Sequence, residues 1–435
     1  MVMLRPFGKA VLVFLALVLA GVVLLAASLL LPENVIHDHV YHSVETFDYE
    51  GAFPRTITRY PVTIADNNTD AWMLLLADYH ARDDTFFEQI FLGKFPVYAY
   101  HEEYRSGLTA QDSICGMPGG EIEQIGTYPR YWHGWLFPLR LALCFVNYSG
   151  IRMMNIILEM GLFSILLLAL SRKNHSELIL PFFVTFILLM PVTLPLCMAY
   201  MISYCIAMTA MLLLLYCSDG FLERLGFGTF LMAVGAVTAY SEFLQFPLIT
   251  LGYPLVVLMA LRPDCRTFRK AVFYSAVWAC GYCGMWAAKW ILASLLTSTD
   301  VIGNAFRQIS LRFSSASNEA ATASVSRVDA ILRNLEALFR KPIVFLCVAG
   351  FAAAVFQVLG KKEVRAAGWK SFLSQMLPFA LVAVLPFCWF FALANHSWLH
   401  YHFTCRIHSV SIFAVMAGLG ALRAAPGPRR LKEGG

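Results

Sequence analysis

Charge is scarce in this 435-residue chain. Asp, Glu, Lys and Arg make up 14% of it, against 59% hydrophobic residues and a mean hydropathy of +0.63. Soluble domains carry about 25% charged residues, so a water-soluble globular fold does not fit. The motifs of soluble nucleotide and hydrolytic chemistry are also missing. There is no Walker A sequence or Gly-rich phosphate loop after a strand, no GxSxG elbow and no HExxH pair. A disulfide framework is missing too, although there are 11 cysteines. Cys197, Cys205, Cys280, Cys283, Cys347 and Cys388 sit inside apolar runs, Cys115 lies in a polar segment and Cys405 near a helix end. Cys280-Gly-Tyr-Cys283 has redox spacing, but within an apolar helix packing accounts for it. The net charge of +5 gives no reason to invoke nucleic acid.

What the chain does have is a series of apolar runs of membrane-crossing length, about 20 residues each. They predict an all-α polytopic membrane protein with about ten transmembrane helices and a large extracytoplasmic first loop containing juxtamembrane helices. The first run, Val11 to about Leu31, follows Arg5 and Lys9. It exceeds the 7–15 residues of a signal-peptide core, so it reads as an uncleaved anchor. Placing basic turns inside puts Arg172-Lys173, Arg266 to Lys270, 361–365 and the tail in the cytoplasm, with both termini. The expected organisation is an anchor helix (1–31), an extracytoplasmic loop (32–151) and a helix bundle (152–297). A second outer loop (298–341), C-terminal helices (342–423) and a cytoplasmic tail (424–435) follow. Residues 132–146 either span or lie in the interface. Short loops and the lack of eukaryotic sorting motifs point to a bacterial plasma (inner) membrane.

The polar residues gather on the expected outer side. Between 32 and 130 there are sixteen Asp and Glu against six Lys and Arg. Asp70 heads an amphipathic run from Ala71 to Ala77 and is the first candidate for a general base, with Asp66 second. As the alternative, Asp70 is a first-turn residue satisfied by the helix dipole. In Arg130-Tyr131-Trp132-His133-Gly134 the aromatics mark headgroup level, while Arg130 and His133 suit a phosphate or snorkel at the interface. Lys289 sits between Trp286 and Trp290, towards the outer end of its helix, with Glu242 a candidate partner.

Between Asn395 and His408 four histidines and an arginine crowd a short outer loop. His396, His400 and His402 fit either a zinc site or, with Arg406, a donor-rich clamp for phosphate or sugar hydroxyls. No acid stands nearby to complete a metal set, so the clamp is the more natural reading. The 298–341 loop adds Arg307 and Arg312. Its Ser/Ala-rich middle, 314–326, serves equally as a lid or a plain linker.

This layout resembles the GT-C superfamily of integral-membrane glycosyltransferases, which includes protein mannosyltransferases and bacterial lipid-linked sugar transferases. The resemblance rests on the first helix, the long outer loop with Asp66 to Asp70, and the aromatic Arg130 to Gly134 stretch. Tyr148 to Asn155 then leads into a helix ending at Arg172-Lys173, and Arg152 is similar to an arginine these enzymes often carry. The resemblance implies a sugar on a polyprenyl phosphate, passed at the outer face to a glycan or lipid acceptor among membrane lipids. It implies a carboxylate (Asp70) as base, with Lys289, Arg406 and His400 on the departing phosphate. No cofactor is certain, and a divalent metal is optional. Two other classes compete: an O-antigen ligase or polymerase centred near Arg406, and a transporter or flippase using Lys289, Glu242 and Glu159.

Overall fold

A computed structural model describes residues 4–80, 83–99, 109–320, 322–359 and 368–422. The basic loop 361–365 and the tail beyond 422 lie outside them. Among the described residues, six helical stretches are long and apolar enough to cross a membrane: Phe7–Ser28, Tyr148–Arg172, Met198–Cys217, Lys341–Val358, Lys370–Ala392 and Tyr401–Gly420. The protein is therefore a helical, membrane-embedded one.

Three of the ten expected spans are helices of only 10 to 15 residues: Ile179–Leu188, Phe227–Ser241 and Leu248–Leu261. At about 1.5 Å per residue they fall short of a roughly 30 Å hydrocarbon core. Thirteen residues of Leu248–Leu261 are buried inside the bundle. A helix apolar on every side is one surrounded by protein or lipid, and hydropathy does not separate the two. Phe268–Leu296, with 29 residues, packs closely on Phe227–Ser241. Within 132–146 the helix Leu136–Leu143 has eight residues, too few to span.

The segment 32–151 is a packed cap rather than an open loop. It has its own apolar core, including Phe47, Leu74, Ile114, Trp135 and Tyr148. It also contains strands that the all-α expectation missed. β1 (Lys94–Tyr98) pairs antiparallel with β2 (Ile122–Thr127), from Lys94 opposite Thr127 to Pro96 opposite Ile125. The chain reaches β2 through Gly119, whose φ of +80° favours glycine.

Basic residues of the described turns tie neighbouring segments together. Lys9 Nζ donates to the Arg224 carbonyl, Arg262 pairs with Asp219 and Glu223, and Arg266 donates to the Ala421 carbonyl. The expected outer segments gather elsewhere, around one cavity.

Candidate functional site

Two carboxylates four residues apart, Asp66 and Asp70, end in different places. Asp66 is the N-cap of the helix Asn67–Asp78: its carboxylate accepts from the Thr69 amide at 3.0 Å and the Thr69 hydroxyl at 2.7 Å. Asp, Asn and Ser favour this position because a short side chain reaches the unpaired amides of the first turn. The cap backbone is non-helical (φ −101°, ψ 70°), as the N-cap position requires.

Asp70 sits in a buried knot instead. It accepts from the Tyr148 hydroxyl at 2.7 Å and from the Met198 and Ala199 amides at 2.8 and 3.2 Å. It thus satisfies the N-terminus of Met198–Cys217, more than a hundred residues along the chain. Arg152 joins the same knot, in a two-pronged pair with Glu50 at 2.7 and 2.9 Å and a bond to Asn67 at 2.9 Å. Burial pushes the Asp70 carboxyl up to about 7 against the pull of these donors and of Arg152.

Asp66 lines a cavity of about 610 Å³, within the size range of small-ligand sites. Five distant segments build it. The cap supplies Phe53, Ile64, Asp66, Asn68, Thr69 and Trp72, and the aromatic stretch adds Tyr128 and Tyr131. The turn after Phe227–Ser241 contributes Phe243 and Gln245. Arg312 and Glu319 come from the 298–341 segment, and His396, Leu399, His400, His402 and Phe403 from the 394–404 segment. Sequence reasoning and the cavity therefore share Asp66, His396, His400 and His402.

One arginine stands among its lining residues. Arg312 donates to Glu319 at 2.7 Å and to Asn395 Oδ1 at 3.1 Å. Burial raises the Asp66 carboxyl above its ordinary range, with the Thr69 bonds opposing. Burial, then Arg312, pushes His400 down to about 3, so its ring is neutral. Three nine-tenths-buried side chains in the lining keep a polar atom without a partner in the protein: Gln245 Oε1, His396 Nδ1 and His402 Nε2. Buried polar atoms are normally satisfied, so these are atoms for a ligand to satisfy.

The other sequence candidates lie outside the lining. Lys289 is fully buried and donates to the Phe91 carbonyl at 2.8 Å, over the Phe91 and Trp132 rings, not to Glu242. Arg406 donates to three carbonyls, of Val62 at 2.7 Å, His402 at 2.9 Å and Leu189 at 3.1 Å, with its guanidinium over Tyr200. Arg130 holds Asn304 at 2.9 Å. His133, at a φ of +59°, is bound to the Tyr128 carbonyl beside a 20 Å³ void. Glu242 sits behind the lining and closes the turn that carries Gln245. Burial pushes its carboxyl up to about 8.

Lys289→Met is expected to change the melting temperature little, because losing an unpaired buried ammonium offsets the orphaned Phe91 carbonyl. Thermal unfolding in detergent reads this directly, and a clear drop would make the Phe91 bond a major strut.

Arg312, Glu319 and Gln245 were not singled out as site residues by sequence. Arg312 was visible as a loop cation, but nothing linear ties it to Asp66. Tyr131, which reads in sequence as a headgroup anchor, lines the cavity and packs on Trp286 with ring centroids 4.7 Å apart.

The lining does not fit a divalent metal. Its carboxylates are Asp66, engaged by Thr69, and Glu319, paired with Arg312. Among the described residues no group of three or more His, Cys, Asp or Glu is arranged to hold an ion. No protein-family model, curated protein or solved structure matches this chain.

Proposed function

We propose that the chain is an integral-membrane glycosyltransferase that moves a sugar from a polyprenyl-phosphate donor to a cell-envelope acceptor at the outer face of the membrane. One observation carries this reading: a single cavity joins a buried carboxylate, an arginine and three histidines within an aromatic wall. Aromatic rings pack on the apolar faces of sugars, an arginine matches a phosphate, and a carboxylate takes a hydroxyl proton. In the topology of this reading, the termini and basic loops are inside and the cavity is outside. The plasma membrane of a bacterium is the setting. Ten helices are embedded, the short ones crossing where protein rather than lipid surrounds their ends.

The reaction is an inverting displacement. The acceptor hydroxyl oxygen attacks the anomeric carbon, and its proton passes to Asp66. The bond between that carbon and the phosphate oxygen breaks, and polyprenyl phosphate leaves with the electron pair. Arg312, freed from Glu319, holds the departing charge. The base role thus moves from Asp70 to Asp66, and the cation role from Lys289 and Arg406 to Arg312.

The test is transfer from radiolabelled polyprenyl-phosphate sugars in membranes carrying the wild type or Arg312→Gln. Loss of one charge-assisted bond, about 1.5–3 kcal/mol, predicts a donor KM raised by roughly 10- to 150-fold. Lys289→Met, away from the cavity, retains transfer. If no donor supports transfer by the wild type, the reading is lost. A ligase of lipid-linked glycans shares the same cavity, and the placement of His396, His400 and His402 on its wall favours it as second choice. That enzyme would use pyrophosphate-linked glycans and ignore monophosphate donors.

A further inference from the structure

The turn 242–246 and the helix Ala394–Leu399 meet at one hydrogen bond that fixes the protonation of a cavity residue. His396 Nε2 lies 2.7 Å from the Leu244 carbonyl oxygen. A carbonyl has no hydrogen to give, so Nε2 carries the proton and donates it. In a neutral imidazole the second nitrogen, Nδ1, is then a bare acceptor. That Nδ1 is buried without a partner in the protein, and the ring lines the cavity. The charged or titratable groups around it are His400, with ring centroids 4.8 Å apart, Arg312 and His402. Burial first, then these neighbours, hold the ring well below its ordinary pKa, which keeps it neutral.

The backbone behind this bond is unusual. Leu244 has a φ of +63°, a region that side-chain-bearing residues seldom adopt. Glu242 Oε1 accepts from the Gln245 amide and, at 3.0 Å, from the Phe246 amide, closing the turn around Leu244. Strain of this kind persists only where surrounding contacts over-determine it, and it concentrates at functional sites.

We propose that His396 binds a hydroxyl group: locked as the Nε2–H tautomer by Leu244, it offers Nδ1 as acceptor to a hydroxyl of a sugar ligand in the cavity. Glu242 is the positioning residue, acting through the turn. The partner of His396 is a hydrogen donor, which leaves an acceptor-only oxyanion such as a phosphate to Arg312. The choice of a sugar rests on the transferase reading; the tautomer does not. His133 has the same arrangement, with Nε2 on the Tyr128 carbonyl at 2.8 Å and an unpartnered Nδ1. It faces only the 20 Å³ void, about the space of one water, so the cavity makes the difference.

The experiment is nitrogen NMR on the full chain in detergent, labelled with ¹⁵N-histidine, with His396 assigned by the loss of its signals in His396→Gln. The expected result is an Nδ1 resonance in the unprotonated, pyridine-like range. Methyl glucoside should move it in the hydrogen-bonded direction, while sulfate, which has no proton to give, leaves it in the unbonded range. A protonated Nδ1 overturns the proposal. So does a response to sulfate but not to the glycoside, or to neither. A second measurement guards against misfolding. Gln at 396 keeps an amide donor for Leu244 but lacks the Nδ1 acceptor, so glycoside affinity should fall about tenfold or more at unchanged melting temperature. Unchanged affinity would overturn it. Glycoside binding at Nδ1 without transfer from any polyprenyl donor removes the transferase reading and leaves this inference standing.

Discussion

Asp66→Asn is expected to lower sugar transfer by about 10²–10⁴-fold, the scale of general-base catalysis, with no change in melting temperature. Asn caps helices as well as Asp, and its oxygen still accepts from the Thr69 amide. The new amide group can donate to the Thr69 hydroxyl, which simply reverses that bond. Only the ability to take a proton is lost. Burial raises the Asp66 carboxyl above its ordinary 3.8, so the base ionises later than an exposed Asp. Wild-type kcat/KM therefore falls as pH drops through that raised value, and the residual rate of the variant lacks this limb. Full activity in Asp66→Asn would end the assignment.

Asp70→Asn is the contrasting variant. Its carboxylate accepts on both oxygens, and an amide turned towards the Ala199 N–H at 3.2 Å sets donor against donor. Stability should fall while transfer per folded molecule survives. The pH dependence has a definite sign. The folded carboxyl is raised to about 7, so its contribution to stability is full below its ordinary 3.8 and is lost as pH rises through about 7. The melting temperature of the wild type should decline over that interval, and that of Asp70→Asn should decline less.

Arg406→Leu is expected to cost at least about 3 kcal/mol, measured as thermal or denaturant unfolding in detergent. Arg406 ties the carbonyls of Val62 in the cap, Leu189 after the short helix Ile179–Leu188, and His402 in the helix Tyr401–Thr404. Removing it orphans three buried acceptors, each worth about 1–3 kcal/mol. Arg406→Lys, with fewer donors and no planar fork, should fall between. Transfer by the folded fraction persists, because the guanidinium faces backbone rather than the cavity. A catalytic loss in Arg406→Lys at unchanged stability would instead return Arg406 to the site.

Composition alone determined that this is a helical membrane protein, because apolar runs of span length have no other stable setting. Positive residues between those runs sorted the loops into two groups, and the cavity forms among the loops of one of them. Asp66, His396, His400 and His402 were legible for the same reason: polar residues near membrane helices are few. Only the tertiary structure decided which of Asp66 and Asp70 opens onto the cavity, because Asp70 is claimed by helix amides some 130 residues away. It also separated Arg312, on the cavity wall, from Lys289 and Arg406, whose charges are spent on backbone carbonyls. Hydropathy marked Leu248–Leu261 as apolar on every side, and burial in protein and burial in lipid select the same side chains. Its neighbours, which the linear order does not name, make it part of the interior.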